Sequence, residues 1–396
     1  MFVTRFSDLF FVEPLAYLPL AVAKRSDIKL RRAERSDGPR LCELFRDTAM
    51  KADLHLTVER DPDFFALYDL QDVDTYPFVA EVDGRIEGLG TYLARDGYLD
   101  GQRVRVGYAG DLRLSPKVAG GFLLGRNAAG LFEEASSALG CEMMLTSIIA
   151  SNTAAERALV KRSRRFVEKP FYQKLDEFDI LSVQFTFRRK PRLTPLKVRT
   201  ATDTDVDRIA ALLAADHEQR PFGYVFSAEE LRRRLQRWPG LKIEHFYLAE
   251  TAEGELRGVA AVWDPDAVKR YRVLGYHGSM KWIRRFFNIG ARFGGFPPLP
   301  PPGEVLRYFY LTHVSIVDEE ADTMAALVDR IYADFHGRSF HFFTTYLTSN
   351  DSLAPAYTRF RTTPLATHLY LVSKPGSPYN TFTLDGRRPG VEVALL

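Results

Sequence analysis

Cysteine is almost absent from this chain, which has two cysteines among its 396 residues. Cys42 and Cys141 supply neither a disulfide framework nor the ligand spacing of a zinc site, and both lie among apolar residues. We therefore expect a cytoplasmic protein in which both thiols belong to the core.

Long apolar runs and a strong charge of one sign are missing as well. No run approaches the ~20 apolar residues that a membrane span requires, and the formal net charge is only +3. A charge this small argues against a dedicated nucleic-acid binder. The sequence also lacks a HExxH pair, a catalytic triad and a dinucleotide-binding fingerprint, and we expect no metal site.

The N-terminal segment allows more than one interpretation. Residues 10–23 are largely apolar and end in small residues before Lys24, as a signal peptide does, but an acidic residue and two prolines interrupt the run. The alternatives are a segment packed on the body or a start codon placed too early. We treat residues 1–27 as an N-terminal extension.

The chain contains the same pattern twice. Residues 28–46 resemble residues 196–214, residues 79–90 resemble 248–260, and residues 147–162 resemble 345–360, in the same order. A repeat of this length is a whole domain rather than a solenoid unit. We expect two tandem domains, each with its own sheet. Their predicted limits are 28–190 and 196–375, with a linker at 191–195 and a tail at 376–396.

Hydrophobic periodicity and helix caps predict the same element order in each half: strand, two helices, three strands, helix, strand, helix, strand. The second half holds about 30 additional residues, in an insertion at about 265–304 that is basic, aromatic, glycine-rich and finally proline-rich. The insertion is a surface loop, a lid or wall over a pocket, or a segment that touches a membrane surface.

Glycines open the helix that follows the long fourth strand of the first half, in the run LRLSPKVAGGFLLGRNAAG at 112–130. With this turn, the element order resembles the GNAT acyltransferase superfamily over most of the chain. The resemblance implies a mixed α/β fold with a mostly antiparallel sheet flanked by helices in each half. It also implies that the backbone at the turn binds the pyrophosphate of an acyl-CoA.

The resemblance assigns cofactor-binding roles residue by residue. Lys117 stands where the family has Arg or Gln, Gly120 is the first glycine of its pattern, and Phe122 departs from the final Gly or Ala. The strand end pairs with the pantetheine arm, and Asn152 lies beside that arm or simply caps a helix. The predicted acyl-CoA contacts are Leu112, Arg113, Leu114, Lys117, Ala119, Gly120, Gly121 and Asn152.

The corresponding turn in the second half has no glycine and carries four carboxylates, at residues 318–322. Acidic side chains repel a pyrophosphate, so we expect no CoA there. Tyr357, seven residues after Asn350, nevertheless matches the family's general acid, whereas the first half has Leu159 at that place. Tyr357 is thus a catalytic candidate, with core packing as the alternative.

A general base for the acceptor amine would lie near the fourth strand. Asp111 is our candidate in the first half, and it could equally be an exposed strand residue. His313 occupies a similar place in the second half, and Glu142 is a weaker option.

These patterns predict an N-acyltransferase that uses acetyl-CoA or another acyl-CoA and transfers the acyl group directly to the amine of a small molecule or peptide. The first half would bind CoA and the second would shape the acceptor site. The alternatives are a non-catalytic tandem protein that binds a ligand or partner, and an aminoacyl-tRNA-dependent transferase that uses the basic run at 161–165. Acyl-CoA binding discriminates among them. The oligomeric state is not encoded in any pattern of the sequence.

Overall fold

The computed structural model describes residues 28–49, 53–118, 127–161 and 168–395. In the first half the strands are β1 (Ile28–Arg32), β2 (Leu54–Glu59), β3 (Asp74–Val82), β4 (Arg85–Leu99), β5 (Gln102–Leu114), β6 (Met143–Ile149) and β7 (Phe171–Gln184). The helices are α1 (Gly38–Asp47), α2 (Ala66–Asp69), α3 (Ala128–Leu139) and α4 (Thr153–Leu159).

The second half follows the same order with additions, except that a 3-10 turn (Ala354–Tyr357) takes the place of α4, where the sequence predicts a helix. Its strands are β8 (Lys197–Thr200), β9 (Gly223–Tyr224), β10 (Phe246–Glu250), β11 (Leu256–Trp263), β12 (Arg270–Tyr276), β13 (Tyr308–Ile316), β14 (Phe342–Thr348) and β15 (Arg361–Ser373). The helices are α5 (Val206–Gln219), α6 (Ala228–Arg237), α7 (Met280–Gly294) and α8 (Ala321–Phe335).

Each half begins with the same buried ionic network. Arg31 joins the carboxylate that starts the first helix, Asp37, to Glu81 of a neighbouring strand, at 2.7 Å each. Arg199 does the same in the second half with Asp205 and Glu250. In both halves the Asp also closes a capping box on the residue three positions earlier. The repeat seen in the sequence is therefore a repeat of specific contacts.

The two halves share one sheet. Twelve strands lie in the order β1-β3-β4-β5-β6-β15-β7-β14-β13-β11-β10-β8, and β9 adds to β4. The closing strands have been exchanged: β15 pairs with β6 of the first half, and β7 pairs with β14 of the second. β7 and β15 also pair with each other along their lengths.

The expected fold class, a mixed and mostly antiparallel sheet flanked by helices, is confirmed. The expectation that each half forms its own sheet is wrong, because β7 and β15 each hydrogen-bond into the other half. The apolar core follows the sheet, since one cluster joins Val106 and Leu145 to Leu248 and Val259. The predicted domain limits along the chain stay a prediction.

A two-stranded ribbon connects the halves a second time. β12, from the insertion, pairs antiparallel with β2 of the first half in a sheet separate from the large one. β2 was not expected from the sequence, because its partner is more than 200 positions away. We call this pair the roof, since residues on it line the cavity described below. The sequence allows three interpretations of the insertion. Its first part, which forms β12, agrees with the interpretation as a wall over a pocket.

The exchange of strands predicts how a cut chain behaves. We expect a protease site placed after Leu193, which is fully exposed in the linker, to yield two fragments that remain one particle in size-exclusion chromatography. They should separate only in denaturant, because parting them strips β7 of both neighbouring strands. Separation in native buffer would contradict the exchanged pairing.

Candidate active site between the two halves

A gap between two parallel strands forms the centre of the first half. β5 and β6 pair at Gly107 with Met144 and at Tyr108 with Leu145. Beyond that point β5 pairs with β4 and β6 pairs with β15, so the two strands diverge. Residues 109–114 consequently present a backbone edge without a strand partner. Such an edge can bind an extended ligand as an added strand does.

A β-bulge aims a side chain out of β5. The register between β4 and β5 shifts between Leu89 and Thr91, and Asp111 opposite has a φ of +53°. The second half repeats the device, with a shift between Val259 and Ala261 and a φ of +51° at His313. A non-glycine residue in the left-handed region is uncommon and is held there by its surroundings. The predicted equivalence of Asp111 and His313 is thus seen in the backbone.

A cavity of about 400 Å³ opens from this gap and extends under the roof into the second half. The first half contributes the diverging ends of β5 and β6, and the roof contributes Leu56, Val58 and Tyr271. The second half contributes aromatic rings, including Tyr308 and Tyr310. Most of the lining is apolar, with few charged groups, as is usual for ligand sites.

The principal charged pair in the wall is Arg60 with Asp111. The guanidinium makes two hydrogen bonds to the carboxylate, of 2.8 and 2.9 Å, and the Tyr68 hydroxyl donates a third. Burial alone would raise the pKa of Asp111, but the Arg60 charge and the Tyr68 hydrogen bond hold it below its ordinary value. Asp111 is therefore ionised and firmly engaged.

Two further cations face the same space. Arg113 is half-buried and lies over the Phe45 ring at 5.0 Å. Lys269 is buried and lies 5.7 Å from the centre of the Tyr310 ring. Burial, with the nearby charge of Arg60, lowers the pKa of Lys269 to about 7. The cavity thus holds a lysine that exchanges its proton near neutrality.

The structure brings some of the predicted residues together. Asp111, Leu112, Arg113 and Asn152 all line the cavity. Asn152 also caps α4, accepting a hydrogen bond from the Ala155 amide at 3.1 Å, so both interpretations of this residue coexist.

Of the remaining predicted acyl-CoA contacts, only Leu114 and Lys117 are among the residues that the structure describes, and neither lines the cavity. Leu114 ends β5 outside the cavity lining, and Lys117 pairs with Glu87 at 2.6 Å. Ala119, Gly120 and Gly121 lie outside the described residues, as does all but the first residue of the basic run at 161–165.

The structure does not bring Tyr357 to this site. Tyr357 is buried in the second half's apolar cluster with Leu353, Ala356 and Phe360, and it is not part of the cavity lining. His313 is also buried and faces Arg234 at 3.2 Å, and burial lowers its pKa well below the ordinary value. Glu142 is exposed at the start of β6.

The second half has an equivalent gap between β13 and β14, and the C-terminal tail bridges it. Thr312 of β13 donates to the Glu392 carboxylate at 2.7 Å. On the other side the Tyr346 hydroxyl donates to the Pro389 carbonyl at 2.9 Å, and Arg388 donates to the Tyr346 carbonyl. The two halves therefore differ at the same place, since one gap opens into a cavity and the other is crossed by the protein's own chain.

Sequence reasoning missed the residues next to the roof, above all Arg60, which directly follows β2, and Lys269, which directly precedes β12. Only the pairing of β2 with β12 carries them over the cavity. The one available signal was the alternation of large and charged residues at 269–276, inside the insertion. Within the described ranges, no group of three or more His, Cys, Asp or Glu side chains could hold a metal ion.

Comparison with known proteins places the fold. No protein-family model matches this sequence, and neither does any curated protein. Saccharomyces cerevisiae N-myristoyltransferase with bound myristoyl-CoA aligns with a TM-score of 0.57 and 10% identity, over 94% of this chain and 86% of that one. A GCN5-related N-acetyltransferase from Sphaerobacter thermophilus aligns with a TM-score of 0.55 and 14% identity, over 91% and 100%. At such identities the likeness shows the fold alone, and the expected GNAT-type fold is confirmed.

The buried charge pair can be tested by stability. Asp111→Asn keeps the shape, and Asn tolerates a positive φ, but it leaves Arg60 charged and poorly paired. We expect the free energy of unfolding to fall by about 3 kcal/mol or more in urea titrations. Arg60→Met in the same chain should recover part of the loss.

The matched control is Asp69→Asn. Asp69 pairs with Arg35 at the surface of the same half, and surface pairs contribute roughly 0–1 kcal/mol. Equal effects at Asp111 and Asp69 would contradict the assignment of a buried, tightly coupled pair.

Proposed function

We propose that this chain is an acyl-CoA-dependent N-acyltransferase whose active site is the cavity between its halves. The observation that supports the proposal most is the divergence of β5 and β6, which leads from an unpaired backbone edge into the cavity under the roof. The likeness of the fold to proteins named as N-myristoyltransferase and N-acetyltransferase supports the same reaction class. Acetyl-CoA or another acyl-CoA would be the donor. A cytoplasmic location stays a prediction.

In this proposal the first half binds the donor. The pantetheine arm would run along residues 112–114 as an added strand, with Asn152 across the gap. The second half is unsuited to the same role, because residues 388–392 bridge its gap and because carboxylates occupy the turn after β13. Asp318 and Glu320 of that turn are paired to Arg257. The second half would instead supply the aromatic wall around a small-molecule or peptide amine.

Direct transfer requires an amine that has lost its proton. The neutral amine attacks the thioester carbonyl, a C–N bond forms, the C–S bond breaks, and the CoA thiolate leaves. The acceptor ammonium releases its first proton to solvent before attack, and attack makes the nitrogen positively charged, with one proton more than the amide product carries. We assign this second proton to Lys269, whose neutral amine takes it from the acceptor nitrogen and whose ammonium gives it to the leaving thiolate. Asp111 was the candidate from sequence, but its oxygens already hold Arg60 and Tyr68. We assign Asp111 an electrostatic role in fixing Arg60.

The position of the donor can be tested by filling the gap. Ile149 lines the cavity at the end of β6, and Leu347 is its counterpart in β14 and is equally half-buried. We expect Ile149→Trp to abolish binding of acetyl-CoA and longer acyl-CoAs in calorimetry. Leu347→Trp should leave binding unchanged. Binding that is lost only in Leu347→Trp would move the donor site to the second half.

The role of Lys269 can be tested by pH dependence. Because its pKa is about 7 and the neutral form is the base, the rate of transfer should rise with pH through that value. Lys269→Met should lower kcat by ~10²–10⁴-fold and remove this rise.

Lys269→Arg is the discriminating variant. It keeps a positive charge but does not release a proton at neutral pH, so we expect it to be as slow as Lys269→Met. A Lys269→Arg variant with normal kcat would show that the charge, rather than proton transfer, is required.

A further inference from the structure

Helix α7 has an inner face that packs on the roof. Met280 and Ala291 are buried, and Met280 belongs to an apolar cluster with Val273 of β12 and with Leu54 and Leu56 of β2. The helix is thereby fixed against the roof. Its other faces point away from this cluster.

The outer face of α7 carries most of the protein's exposed large apolar side chains. Seven such side chains occur among the described residues, and four are on this helix: Trp282, Phe286, Ile289 and Phe293, exposed by 61, 67, 48 and 88%. Their spacings of four, three and four residues place them in one stripe. Single exposed apolar residues are ordinary, but a continuous stripe marks an interaction surface.

A row of positive charge borders this stripe. Lys281, Arg285 and Arg292 are exposed on the same side, at neighbouring positions of the helical turn. The helix itself contains no Asp or Glu. A carboxylate lies at its first turn, where Asp53 accepts from the Ser279 hydroxyl at 3.0 Å. The exposed surface of α7 is therefore apolar along one side and cationic along the side next to it.

We propose that α7 binds the surface of an anionic lipid bilayer. Its apolar stripe would enter the boundary between headgroups and acyl chains, and its basic row would face the lipid phosphates, as in helices that lie in the membrane interface. A protein groove would account for the apolar stripe alone, whereas an anionic bilayer accounts for both halves of the surface. No helix in the described part of the chain is long and apolar enough to cross a membrane.

This position relates the membrane surface to the cavity. α7 follows β12 directly, and β12 carries Tyr271 of the cavity lining. Leu56 of the cavity lining is also in the same apolar cluster as Met280 of α7, so a bilayer bound at α7 would lie close to the roof. The proposal stands on the helix surface alone and does not depend on the proposed acyl transfer.

Tryptophan fluorescence provides a direct test with the full chain. The chain has three tryptophans, and Trp238 and Trp263 are buried, so a change on adding vesicles reports on Trp282. We expect the emission to shift to the blue when phosphatidylcholine vesicles containing 30% phosphatidylglycerol are added. The fraction of the full shift should equal about the fraction of protein that sediments with the vesicles. Trp282→Phe should lose the shift while still sedimenting.

Two sets of variants separate the apolar and charged contributions. Lys281→Gln, Arg285→Gln and Arg292→Gln together should weaken partitioning roughly 100-fold, at about fivefold for each charge. Phe286→Ser with Phe293→Ser should weaken it by at least tenfold. Leu193→Ser, a fully exposed apolar position in the linker, is the control that leaves it unchanged. Unaltered thermal unfolding shows that each variant is folded.

Three results would overturn the proposal. One is the absence of partitioning into anionic vesicles. The second is partitioning that none of the helix variants changes. The third is self-association, or capture of one defined protein, that the Phe286 and Phe293 substitutions abolish while vesicles have no effect, since that result assigns the stripe to a protein interface.

Discussion

The exchange of β7 and β15 is the constraint on which the rest of this structure depends. Each strand closes the sheet of the other half, and the two pair with one another along their lengths. Neither half can turn or separate without breaking backbone hydrogen bonds in the middle of the sheet. The parts of the cavity that come from different halves are therefore held in register by the backbone rather than by side-chain contacts at an interface.

The two halves contain similar gaps between parallel strands, and these gaps differ in what occupies them. In both halves a bulge produces a left-handed residue beside the point where two parallel strands diverge, at Asp111 and at His313. In the first half the space beside the bulge opens into the cavity. In the second half Thr312, next to His313, holds Glu392 of the C-terminal tail. This asymmetry leaves a single ligand site, in the first half. The second half, whose own gap is bridged by the tail, supplies part of the wall of that site.

Burial determines how the charged groups of the site behave. Arg60 and Asp111 neutralise one another, so their energetic contribution depends on the pair remaining intact. Lys269 is close enough to this pair to feel the charge of Arg60 and is removed from water by the roof, and these two effects together bring its pKa near neutrality. A lysine on an exposed loop would keep its ordinary pKa, so it is the pairing of β12 with β2 that makes this lysine chemically distinct.

The sequence by itself determined the repeat, most of the order of elements, the equivalence of Asp111 with His313, and part of the cavity wall, namely Asp111, Leu112, Arg113 and Asn152. Most of the elements follow from local periodicity and caps, the repeat follows from comparing the two halves, and the assignment of Leu112, Arg113 and Asn152 to the site follows from the resemblance to the GNAT superfamily. Tertiary structure alone decided which strand closes which half. The alternation of apolar residues along β7 predicts a strand but does not specify whether it pairs with β6 or with β14. It also decided that Tyr357 packs in a core and that Lys269 reaches the cavity, since both outcomes depend on contacts between segments far apart in the chain. Pattern within a segment specifies what that segment forms, whereas the burial and charge of a side chain depend on what the rest of the chain places around it.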